Sequence, residues 1–133
     1  MAARHGGEHR LLPLGVFREF SDWPSDSPSI SDAIGAGPPP EVQRRLAFYL
    51  SQATSIRATM GREPDVIDGE DVYLSTGLQS DGDWYWRGDL AHYVLKYNVQ
   101  VPDAFIEHAA SHLWSPGELT DAQAHDCHVR LNG

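Results

Sequence analysis

Asp81-Gly82 lies between two β-prone runs, and the second run holds three consecutive aromatics, Trp84-Tyr85-Trp86, before Arg87-Gly88-Asp89 opens a helical pattern. An Asp-Gly pair in this setting signals a hairpin. The segment Leu78 to Leu90 thus combines a turn, a strand and a helix start. Register decides what it builds, because a one-residue slip moves every side chain to the other face. A two-residue Asp81-Gly82 loop sets Trp84 opposite Gln79 and Trp86 opposite Gly77. A three-residue loop, Ser80-Asp81-Gly82 with Gly82 left-handed, sets Trp84 opposite Leu78 and Trp86 opposite Thr76, with Leu74 and Val72 further along that face. Only the second gathers the large apolar groups on one side. The pattern therefore predicts the three-residue loop, with Tyr85 facing the other way.

Burial of large aromatics is strongly favourable, so core packing under a helix is preferred for Trp84 and Trp86 over an exposed binding platform. Asp89 reads as a helix N-cap, followed by Leu90, Tyr93, Val94 and Tyr97 at helical spacing, with Asn98 as the stop. Pro102-Asp103 starts another helix, with Phe105, Ile106, Ala109 and Leu113 on one face. Upstream, Val42, Leu46, Tyr49, Leu50 and Ala53 predict a helix over 41–53, entered through the prolines at 38–40.

Thr54 to Met60 and Val72 to Gln79 read as strands, with an acidic loop from Arg62 to Asp71 between them. Leu11 to Phe17 is an edge-strand candidate weakened by Pro13, and Ser29 to Ile34 suits a single helical turn. At the C-terminus, Ser115-Pro116-Gly117-Glu118 resembles a helix start, which predicts a helix from Pro116 towards Val129. Residues 1–9 are polar and Gly-rich, an expected flexible end.

Four pieces of the chain together resemble a family of small, mostly uncharacterised bacterial proteins. They are Arg45 to Leu50, Asp81 to Trp86, Asp89-Leu90 with Tyr93 and Tyr97, and Pro102 to His108. The resemblance spans roughly residues 41–114 and implies no catalytic residues. Some proteins of this size and style act as immunity or accessory proteins, which is an analogy of class.

A chain of 133 residues is the size of one domain and can bury one core. One cysteine, Cys127, allows no internal disulfide, which fits a reducing cytoplasm, as does the lack of a signal-peptide pattern. No window approaches a membrane span. A net charge of −9 argues against nucleic acid and favours, if anything, a basic protein partner.

The sharpest chemical candidate is His108 with His112, four apart on a helix, the spacing at which two imidazoles can share a metal. His125-Asp126-Cys127-His128 offers further ligands. No His-Glu-x-x-His pattern, paired-cysteine motif, calcium loop, nucleophile elbow or phosphate loop accompanies them. Boundary histidines are therefore the commoner explanation. The acidic clusters Asp65, Asp68, Glu70, Asp71 and Asp81, Asp83, Asp89 read first as solvated faces.

The sequence thus predicts an α+β domain, a small antiparallel sheet with its β-hairpin packed against three to four helices. The expected core is Trp84, Trp86, Leu46, Leu50, Leu74, Leu78, Leu90, Tyr93, Val94, Phe105 and Leu113. The expected function is a non-enzymatic acidic module that binds a basic protein partner through Asp81, Asp83, Tyr85, Arg87 and Asp89, with no catalytic residue, cofactor or metal assigned. The alternative is a small metal-dependent enzyme or metal-binding protein using His108 and His112.

Overall fold

The computed structural model describes residues 10–20, 23–58, 62–69, 74–75 and 77–131. Expectations for residues 1–9, Met60, Glu70 to Val72 and Thr76 lie outside these, as does that for the Leu74 side chain. The chain is an α+β fold with a mixed four-stranded sheet and four α-helices among the described residues. The elements are β1 (Leu12–Pro13), α1 (Pro40–Gln52), β2 (Thr54–Arg57), β3 (Arg62–Glu63), β4 (Leu74–Ser75), β5 (Leu78–Ser80), β6 (Trp84–Arg87), α2 (Leu90–Tyr97), α3 (Asp103–Ser111) and α4 (Asp121–Leu131), with a 3-10 turn at Ile30–Ala33. The sheet order is β1-β6-β5-β2, and β3 and β4 form a separate ribbon. No helix is long and apolar enough to cross a membrane.

The predicted edge strand exists but runs parallel to β6 rather than antiparallel. Leu12 and Leu14 donate to Asp83 and Tyr85 carbonyls, and Pro13, which has no N–H, falls between them. Alternation along the strand lets a proline sit there without a lost bond.

The hairpin register differs from the expected one. Leu78 pairs with Arg87, Gln79 with Trp86 and Ser80 with Tyr85, so the loop is Gly82-Asp83. Gly82, at φ +102, takes the first central position, where a tight hairpin needs positive φ. The Asp81 carboxylate closes the turn by accepting from the Asp83 and Trp84 N–H groups. The single-sided apolar face was the wrong criterion because the sheet is buried on both faces. Trp86 packs with Tyr49, Leu50 and Phe105 in the main core, whereas Leu78 joins Leu11, Ile56 and Cys127 under α4. The expected 72–79 strand is likewise divided between β4 and β5.

Trp86 is fully buried and its indole N–H donates to the Leu50 carbonyl. Phe105 receives Tyr49, Trp84 and Trp86 edge-on, an arrangement that suits the aromatic quadrupole. Trp84 is only half-buried, at the rim. Helix α1 starts at Pro40, the first helical position, where a missing N–H costs nothing. Its Gln43 side chain donates to the Val94 and Leu95 carbonyls of α2. Asn98 ends α2 in the left-handed region, and Gly37 lies so close that a Cβ there would sit 2.3 Å from the Asn98 Oδ1.

Three local expectations need correction. Asp89 precedes α2 but makes no capping bond, since its carboxylate binds Arg87 Nε and Nη2 at 3.1 and 2.8 Å. Both residues are buried, and Glu63 reaches Arg87 as well. A buried guanidinium needs its countercharge more than the helix needs a cap. Leu113 is not core: α3 stops at Ser111 and Leu113 is 84% exposed. It occupies the left-handed position of a Schellman motif, with Leu113 N–H on the Ala110 carbonyl and Trp114 N–H on Ala109. Finally, α4 begins at Asp121, not Pro116. Gly117, at φ +72, is incompatible with a helix, and Leu119 N–H is tied to Thr54 Oγ1. The operative capping box is Thr120 with Gln123, each bonded to the other's backbone N–H.

Two substitutions test these points by urea denaturation. Asp89→Ala should cost about 3–5 kcal/mol, because it strands a buried Arg87; a loss under 1 kcal/mol would contradict the pairing. Leu113→Gly should stabilise the protein by up to about 1 kcal/mol, since glycine tolerates the left-handed position.

Candidate functional site

The hairpin turn is held between α3 on one side and α4 on the other. On the α3 side, Asp81 Oδ2 accepts from the Tyr49 hydroxyl and lies 2.8 Å from His108 Nε2. Asp81 Oδ1 is taken by the two turn N–H groups, at 3.0 and 2.9 Å. This carboxylate therefore meets four donors, about its full accepting capacity. Its side chain is only 2% exposed. Burial, and then the bond to Asp81, push the Tyr49 phenol far above its ordinary pKa, so the hydroxyl remains a donor.

Asp83 projects from the same turn, with one oxygen 3.9 Å from His108 Nε2. His112, one helical turn beyond His108, brings its ring to 4.6 Å centroid distance. One ligand atom from each of Asp83, His108 and His112 lies within 4.8 Å of the others. Trp84 and Phe105 lie beside the His108 ring, at centroid distances of 6.5 and 6.0 Å. Asp83 and His108 are partly buried, and His112 is exposed. The cluster thus has an inner wall and an outer mouth.

On the α4 side, an open cavity of about 460 Å³ is lined by Asp83, Leu119, Gln123, Asp126, Cys127 and Arg130. Arg130 donates to the Gly82 carbonyl at 3.3 Å and pairs with Asp126. Cys127 is buried against Ser80 and Arg130, while His128 binds the Ile56 carbonyl. The 125–128 group therefore braces α4 on the sheet and does not join His108 and His112.

The five residues expected at an interface do not form one surface. Arg87 and Asp89 are buried in their ion pair, and the Asp81 side chain is buried beneath the turn. Asp83 and Tyr85 remain partly accessible, with Tyr85 against Trp23. Sequence reasoning found the His108/His112 pair from its spacing. It missed Tyr49 and Asp83 as its neighbours, because they are distant along the chain and carry no motif.

A second hub repeats the Asp81 pattern. Asp65 Oδ1 accepts from the Ile67 and Asp68 N–H groups, and Oδ2 meets the Tyr97 hydroxyl and His92 Nε2 at 2.8 and 2.7 Å. It ties the 65–69 turn to α2. No further imidazole accompanies it among the described residues, so it has no metal-like geometry.

Comparison with known proteins gives no match to a family model, a curated protein or a solved structure. Residue roles at the Asp81 site therefore rest on its geometry.

Asp65 makes its own contribution pH-dependent. Burial raises its pKa, but hydrogen bonds from His92, the Ile67 N–H, Tyr97 and the Asp68 N–H outweigh this and hold it below the ordinary value. A group depressed in this way stabilises the fold above its unfolded pKa of about 3.9 and loses that contribution as pH falls through the folded value. Asp65→Asn should be less stable than the parent by about 2–3 kcal/mol at pH 6, with the difference shrinking towards pH 3. A difference that stays constant over this range would contradict the charged hub.

Proposed function

We propose that this protein binds one divalent transition-metal ion through Asp83, His108 and His112. The observation that carries this is the convergence of two imidazoles and a carboxylate within 4.8 Å, from a turn and a helix far apart in sequence. Imidazole with carboxylate suits zinc and its first-row neighbours. Three protein ligands leave a further position for water or a substrate, the arrangement of catalytic rather than structural zinc sites. With His112 exposed, that position would open to solvent at the mouth of the cluster. The single cysteine goes with a reducing, cytoplasmic setting.

A role as an acidic module for a basic protein partner is supported by the net charge of −9. It has weaker geometric support, because Asp81, Arg87 and Asp89 are turned inward. The metal reading is therefore the better supported of the two.

Titration of the metal-free protein with zinc and cobalt, followed by calorimetry and the cobalt visible spectrum, should give one equivalent bound. His108→Ala and His112→Ala should each weaken binding by at least about tenfold, or about 1.4 kcal/mol. Failure of the unmodified protein to bind either ion would refute the proposal.

A further inference from the structure

We infer that Asp81, backed by Tyr49, is the positioning residue of this metal site, holding His108 with its proton on Nε2 and so leaving Nδ1 as the nitrogen whose lone pair can take the ion. The inference rests on the proposed metal site and adds the residues that would organise it. Asp81 meets four donors, so no lone pair is left over for an ion. That makes it a partner of a ligand rather than a ligand. A carboxylate accepts, so the ring nitrogen facing it carries hydrogen. The neutral imidazole then has its lone pair on the other nitrogen, Nδ1. Metal-binding histidines are commonly fixed this way, by a carboxylate on the nitrogen that does not bind the ion.

The same carboxylate acts on a second ligand. Asp83 N–H donates to Asp81 Oδ1 at 3.0 Å, so the backbone that carries the Asp83 side chain is set by Asp81 too. Tyr49 occupies the remaining acceptor site on Oδ2 and anchors the assembly to α1. The Arg130 bond to the Gly82 carbonyl holds the turn from its other side. Two of the three ligands are thus oriented before any ion arrives.

The isosteric change Asp81→Asn makes the sharpest test. Its amide can keep an oxygen for the turn N–H groups but presents N–H to His108. The imidazole must then accept through Nε2 and carry its proton on Nδ1, the nitrogen intended for the ion. Zinc affinity should fall about 10–100-fold. Tyr49→Phe, which leaves the His108 bond intact, should lose less. Asp65→Asn removes the equivalent charge from the other hub and should leave zinc affinity unchanged.

A merely structural role for Asp81 would not move the tautomer, so nitrogen-15 NMR of the metal-free protein supplies the second readout. Nε2-protonated His108 in the parent protein, exchanged for the Nδ1-protonated form in Asp81→Asn, supports the inference. With cadmium-113 bound to the parent protein, coupling to His108 Nδ1 supports it, and coupling to Nε2 overturns it. Equal zinc affinity in the parent and Asp81→Asn also overturns it. Should Asp81→Asn fail to fold, the parent tautomer and the cadmium coupling decide the matter. A parent protein that binds neither zinc nor cadmium refutes the metal site itself, a result distinct from these.

Discussion

The Asp81 carboxylate is the interaction on which the rest of this structure most depends. Four donors from three places converge on it: two N–H groups of its own turn, a hydroxyl from α1 and an imidazole from α3. A buried carboxylate is costly unless its lone pairs are met, and here they are. Meeting them fixes the hairpin loop at Gly82-Asp83, docks α3 beside the turn and carries Asp83 towards the two histidines. Local turn chemistry, helix packing and the candidate site are consequences of one satisfied charge.

Asp65 shows that this solution is a general one for the chain. It gathers two turn N–H groups, one tyrosine and one histidine in the same way. The comparison separates scaffold from site. A four-donor hub alone pins a turn to a helix, as at Asp65. At Asp81 the Asp83 carboxylate and the His112 imidazole also come within 4.8 Å of each other and of His108. The metal reading rests on that convergence.

Burial on both faces explains why the sheet was harder to read than the helices. Helices α1, α2 and α3 have one apolar stripe each, and their starts were legible from Pro40, Asp89 and Pro102. The strands carry apolar groups on both sides, Trp86 towards α1 and α3, and Leu78 towards α4. Alternation then cannot select a register, and the one-sided choice fails. For α4 the helix was legible and only its start was not, because its capping pair Thr120 and Gln123 competes with a stronger-looking start at Ser115. Only the positive φ of Gly117 and the bond between Leu119 and Thr54 decide against the earlier start.

The sequence alone determined the α+β class, the presence of a hairpin at Asp81-Gly82, the Trp86, Tyr93 and Phe105 part of the aromatic core and the His108/His112 pair. These follow from local periodicity and turn chemistry, which act over a few residues. Tertiary structure alone decided the register, the burial of Arg87 and Asp89, and the meeting of Tyr49, Asp81, Asp83 and the histidines. The physical reason is range. Each of those outcomes depends on which distant donor or countercharge satisfies a buried polar group, and no spacing along the chain encodes that choice.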